Sequence, residues 1–103
     1  MRRTLLLVAL VLAAGCGGGA DDGERERAIA AAHLAYEEAA AAGTDLADGP
    51  CLGVVVENWV ADIAHDPREE VDDRPENQCE AYRSGEAEHF VELDPEGELI
   101  RAE

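Results

Sequence analysis

Beyond Cys16 only eighteen side chains are both large and apolar, from Ile29 to Ile100, and that scarcity is the tightest constraint on what the chain can fold into. A core of this size suits one small domain that needs extra fastening. The 47% hydrophobic content of the 103 residues overstates it, because nineteen of those residues are alanine and eleven hydrophobics lie in the first fifteen positions. Against the thin core stand 24 Asp and Glu and only 8 basic residues, all arginine, for a formal net charge of −16. Nothing in that balance could neutralise a phosphate backbone, which excludes nucleic-acid binding.

Arg2 and Arg3 precede an unbroken apolar run over residues 5–14. Ten residues span only about 15 Å as a helix, roughly half a bilayer core, so the run is too short for a permanent span. A positive start, a short apolar stretch and small residues at its end are the three parts of a secretory signal. The stretch closes on Leu12-Ala13-Ala14-Gly15-Cys16, which resembles the lipobox of bacterial lipoproteins, with Leu four and Ala three residues before the Cys. The resemblance implies cleavage before Cys16, a diacylglycerol on its thiol and a further acyl chain, palmitate for example, on the new N-terminus. Two or three acyl chains at about 0.8 kcal/mol per buried CH₂ make a stable anchor. Residues 1–15 are then the signal peptide, 16–23 the lipidated Cys with a short Gly-rich tether, and 24–103 a small extracytoplasmic domain. Its site would be the cell membrane or the outer membrane. Loss of Arg2 and Arg3 carries the formal charge from −16 to −18, so an anionic lipid surface repels the body of the domain.

The domain reads as α+β. Asp21 and Glu24 have capping-box spacing, good helix formers run from Glu24 to Ala42, and Gly43 supplies the stop. Ile29, Ala32, His33, Tyr36 and Ala40 form one stripe along that helix. Residues 44–50 are loop. A β-branched stretch, residues 54–64, reads as one strand with a break or bulge at Glu57-Asn58, and residues 65–76 read as an exposed acidic loop. Residues 78–83, 86–93 and 98–102 read as a three-stranded meander. Its turns are Ser84-Gly85 and Asp94-Pro95-Glu96-Gly97, and its register sets Leu93 opposite Leu99 and Val91 opposite Arg101. The expected architecture is one N-terminal helix packed on a small antiparallel sheet of about four strands. With Cys16 taken by lipid and the chain exported, Cys51 and Cys79 are left to form a disulfide. Its loop of 29 residues contributes roughly 3.5 kcal/mol in the chain-entropy model.

Chemistry-bearing motifs are sparse. Asp66, Glu69, Glu70, Asp72, Asp73 and Glu76 could offer oxygens to a cation, but the spacing lacks the alternating acids and central Gly of a calcium loop, and Arg68 and Arg74 interrupt it. His33, His65 and His89 have no zinc-ligand spacing, Ser84 is the only serine, and no phosphate-cradling Gly-rich loop occurs. Neither a catalytic residue nor a cofactor is expected. Trp59, Tyr82 and Phe90 could form a binding face if one side of the sheet stays open, with His89 as a further contact, although Trp59 is equally a core residue. The expected function is a lipid-anchored, non-enzymatic binder of an envelope protein or ligand, with a basic partner favoured by the charge. The alternatives are a cation-binding envelope protein using residues 66–76 and a small hydrolase-like enzyme. Replacement Cys16→Ser is expected to move the chain from the membrane to the soluble fraction and to abolish acyl labelling, which fractionation and metabolic labelling measure.

Overall fold

The computed structural model describes residues 21–103, so the signal segment, Cys16 and the Gly-rich stretch lie outside the described residues. One long helix, α1 (Asp22–Ala41), is followed by strands β1 (Cys51–Val56) and β2 (Trp59–Ile63). A strap over residues 65–78 contains two 3-10 turns and leads into a four-residue helix, α2 (Glu80–Arg83). Strands β3 (His89–Leu93) and β4 (Leu99–Ala102) complete a four-stranded sheet in the order β1-β2-β3-β4. The fold is α+β, as the residue pattern implies. Among the described residues no helix is long and apolar enough to cross a membrane.

Helix α1 starts where its acids predict. The Asp21 carboxylate accepts the Glu24 backbone N–H at 2.6 Å, and Gly43 ends the helix with φ +82°. Only Ala28 and Ala32 are fully buried, so the helix meets the sheet through methyl groups rather than a broad apolar face. Polar ties make up the difference. Arg25 Nε donates to Ala102 O at 3.0 Å, Trp59 Nε1 donates to Glu24 Oε2 at 2.8 Å, and Tyr36 Oη donates to Pro95 O at 2.9 Å. The His33 ring Nε2 lies 3.1 Å from Gly97 O. Beneath the helix the core comprises Trp59, Ala61, Ile63, Val91, Leu93 and Ala102.

The sheet departs from the expected meander in three places. Residues 54–64 form a hairpin rather than one strand, because Asn58 adopts a left-handed φ of +74° and Val56 pairs with Trp59. Residues 78–83 are not a strand. Glu80-Ala81-Tyr82-Arg83 are helix formers, Ser84 is the C-cap and Gly85 follows with φ +85°, so Ser84-Gly85 ends a helical turn and closes no hairpin. The chain therefore crosses the sheet between β2 and β3 and returns in the same direction, which makes that pair parallel and the sheet mixed. Asn58 fixes the start of β3, its side-chain oxygen accepting Glu88 N at 2.8 Å and its carbonyl accepting His89 N at 3.1 Å.

The last turn forms at Asp94–Gly97, with Gly97 N donating to Asp94 O at 2.8 Å and the Asp94 side chain accepting from Glu96 N and Glu98 N, each at 2.9 Å. Leu93 pairs with Leu99 as expected, but an extra residue at position 100 sets Arg101 opposite Glu92 and Ala102 opposite Val91.

The strap is ordered, not a loose acidic loop. Asp72, 1% exposed, accepts the backbone N–H groups of His65 and Glu69, both at 2.9 Å, and its Oδ1 meets the His65 ring Nδ1 at 3.0 Å. A Cys51–Cys79 disulfide joins β1 to the residue ahead of α2, beside a second small cluster of Val60, Ala87 and Cys79. Replacing both cysteines by Ala is expected to cost about 3–4 kcal/mol, read as a lower midpoint in urea unfolding, because the cross-link spans a separation of 28 residues.

Candidate functional site

Alternation along β2 and β3 sends Val60, Asp62, Phe90 and Glu92 to the sheet face away from α1. Parallel register places Asp62 directly beside Glu92, and the extra residue at position 100 brings Arg101 into line with them. The strap and α2 only partly roof this face, leaving a cavity of about 250 Å³. Its floor is Val60, Asp62, Phe90, Glu92 and Arg101, and its walls are Arg68, Gln78, Cys79 and Tyr82. Tyr82, 43% exposed, stands at the rim with its ring edge-on to Phe90 at a centroid separation of 5.3 Å. A larger groove of about 580 Å³, as open to solvent as the first, runs between the start of α1 and the Glu57-Asn58 turn. Two of its polar side chains are already engaged in the fold, Glu24 with Trp59 and Asn58 with Glu88.

The two carboxylates in the cavity have opposite circumstances. Glu92 is 6% exposed and doubly paired, with Arg68 Nη1 at 2.9 Å from Oε2 and Arg101 Nε at 3.2 Å from Oε1. Arg68 is held in turn by Asp73 through Nε at 3.0 Å and by the Asp72 carbonyl at 3.3 Å. Arg101 also lies 5.5 Å from the Phe90 ring centre. Asp62 has no such support: its Oδ1 is buried without a hydrogen-bond partner among the described residues. Burial pushes the Asp62 carboxyl from 3.8 up to about 7, the neighbouring Glu92 charge adds to the rise, and Arg68 pulls against it.

The strap obeys the reverse logic. Burial alone would raise Asp72, but the N–H groups of Glu69 and His65 and the His65 ring hold it below the usual carboxylate range. The hydrogen bond that the His65 ring donates to the Asp72 carboxylate raises His65. The pair is therefore most stabilising between the ordinary values of the two groups, 3.8 and 6.5, losing its effect below as Asp72 protonates and above as His65 loses its proton.

The remaining candidates are dispersed. Trp59 is fully buried under α1 and stacks on His89 at 4.7 Å, so neither shares a face with Tyr82. Of the acidic residues 66–73, Asp72 is turned inward and Asp73 pairs with Arg68, while Asp66, Glu69 and Glu70 are exposed. Among the described residues no three His, Cys, Asp or Glu side chains converge as a metal cage. Cys51 and Cys79 are oxidised, and the Ser84 hydroxyl bonds the Ala81 carbonyl at 3.2 Å. Reading the sequence alone misses Asp62, Glu92, Arg68 and Arg101. The available signal was a lone acid at an alternate position of each of two otherwise apolar segments, residues 59–63 and 89–93. No family model, curated protein or solved structure matches this chain.

An unpartnered carboxylate in a cavity weakens the fold wherever it is ionised. Asp62→Asn is expected to raise stability by about 1–3 kcal/mol at pH 8.5, with the gain shrinking as pH falls and gone near pH 3.5. The sign follows from a folded-state value above the unfolded one: the wild-type chain loses stability as pH rises from 3.8 through about 7. Urea titrations of both proteins at the two pH values measure it.

Proposed function

We propose that this chain is a lipid-anchored extracytoplasmic module that binds a basic envelope protein through the sheet face away from α1. The observation that carries this reading is the cavity on that face, lined by Asp62, whose carboxyl stands outside the ion pairs of Glu92 and has one oxygen sealed from solvent without a partner. A fold with so little apolar core bears a buried carboxyl at a cost to its own stability, and such a cost is usual at sites used for recognition. The surrounding charge agrees, with 24 acids against 8 arginines, and steers a cationic partner once it comes within about a Debye length of the domain.

The anchor and the compartment rest on separate grounds. Leu12 to Cys16 resembles a lipobox, and the Cys51–Cys79 bridge suits an oxidising, exported location. The cation-binding alternative draws no support from the strap, whose Asp72 and Asp73 are committed to His65 and Arg68. The hydrolase alternative lacks a thiol or a serine hydroxyl in the cavity lining.

The absence of lysine makes a clean test. Zero-length carbodiimide coupling joins carboxylates to amines, so in intact membranes the side-chain carboxylates of this chain can couple only to amines elsewhere, since it offers no lysine of its own. The expected result is a cross-link from an acid of the cavity face to lysines of a basic protein, with a yield that falls steeply between about 0.05 and 0.5 M salt. A yield indifferent to salt, or cross-links confined to residues 66–76 and α1, would count against the reading.

A further inference from the structure

We propose that the cavity on the sheet face away from α1 binds a small organic carboxylate, with Arg101 taking the acid head and Phe90, Tyr82 and Val60 the apolar tail. The inference goes beyond the basic-partner reading and does not rest on it. A cationic protein answers to the acids of the outer surface, whereas the cavity lining has a charge balance of its own.

That balance decides the sign of the ligand. Below about pH 7 the guanidiniums of Arg68 and Arg101 face one ionised carboxylate, that of Glu92, because Asp62 is largely neutral. Each nitrogen of Arg68 has a partner: Nε has Asp73, Nη1 has Glu92 and Nη2 has the Asp72 carbonyl. Arg101 is less committed. It touches Glu92 through Nε only, at 3.2 Å, so among the described residues its two Nη groups meet no acceptor. Half of the side chain is exposed, and the guanidinium carbon lies 5.5 Å from the centre of the Phe90 ring. A ring behind a guanidinium restricts its motion and leaves its N–H edge for charge-assisted hydrogen bonds, which a carboxylate accepts in pairs. A cation would meet the same two arginines, and the partnerless oxygen of Asp62 is sealed from solvent.

The rest of the lining suits the tail. Val60 and Phe90 are apolar floor, and Tyr82 stands edge-on to Phe90 at the rim, where its hydroxyl is a further donor. A volume of about 250 Å³ admits an aromatic ring with a short acid arm. The formal charge of −16 opposes the approach of any anion, but its reach is screened to about 8 Å, while a guanidinium–carboxylate contact acts at about 3 Å.

Occupancy depends on the state of Asp62. Once it ionises, the lining holds two carboxylates against two guanidiniums, and the excess positive charge that retains an anion is gone. The charged or titratable groups around it are Glu92 from β3, Arg101 from β4, Arg68 and Asp72 from the strap, and Tyr82 from α2. On the β1 side the neighbour is Cys51, which is disulfide-bonded and does not titrate.

The test titrates the isotopically labelled full chain with phenylacetate, phenylacetamide and phenethylammonium, which share a tail and differ in head, by NMR at pH 6 and pH 8. Phenylacetate is expected to shift the Arg101 side-chain N–H and the Tyr82 and Phe90 ring signals, with affinity falling about tenfold from pH 6 to pH 8. Asp62→Asn, neutral at both values, is expected to bind at pH 8 as the unaltered chain binds at pH 6. Arg101→Gln is expected to weaken binding at least about tenfold, and Arg101→Lys, which keeps the charge but loses the fork, by less. Backbone amide spectra report whether each variant folds; if Arg101→Gln does not, Arg101→Lys decides in its place. Four results would each overturn the assignment: either other probe binding as tightly, phenylacetate binding indifferent to pH, phenylacetate binding untouched by the folded Arg101 variant, or no probe binding. Cross-links to lysines without these shifts keep the basic-partner reading and remove this site. Shifts without any cross-linked partner do the opposite.

Discussion

The parallel pairing of β2 with β3 sets Trp59 beside His89 and Asp62 beside Glu92, and most of what distinguishes this domain descends from it. Two strands side by side in register sort their residues by parity. Odd positions gather Trp59, Ala61, Ile63, Val91 and Leu93 under α1, and even positions put two acids among apolar neighbours on the other face. A parallel pair also requires the chain to be carried across the sheet between its strands. Here that crossing is the strap with α2, and it supplies the roof that turns an open sheet face into a cavity.

Thin cores need other sources of order, and this one draws on three. Alanines let α1 lie close to the sheet, and side-chain hydrogen bonds from Arg25, His33 and Tyr36 tie it to the last strand and turn. The buried Asp72 organises the strap as an acceptor for two backbone N–H groups and one imidazole. The disulfide fastens strap to strand. Each device uses few atoms and a defined geometry where a larger protein would use apolar area.

Legibility in the sequence followed locality. The Asp21 cap, the Gly43 stop, the Asp94–Gly97 turn and the Leu93–Leu99 pair are all settled within a few residues, and each forms as read. The cysteine pair was legible by elimination. Residues 78–83 read as a strand because Ser84-Gly85 has the chemistry of a two-residue hairpin turn, while the helix-forming run that ends at Gly85 decides otherwise. The cavity was the least legible part. Asp62 meets Glu92 only once the crossing makes β2 and β3 parallel, and Arg101 reaches Glu92 only because one extra residue at position 100 shifts the register. Neither event leaves a mark in local periodicity.

The bridge to Cys79 has a consequence for the cavity as well as for stability. It ties the residue ahead of α2 to β1, and α2 carries Tyr82, so one wall of the cavity is stitched covalently to the edge of the sheet that forms its floor. Apart from the bridge, that wall meets the floor through the edge-on pair of Tyr82 with Phe90 and a small cluster of Val60, Ala87 and neighbouring side chains. Where thiols are oxidised the wall is held to the floor by a covalent bond, and where they are reduced side-chain packing alone holds it.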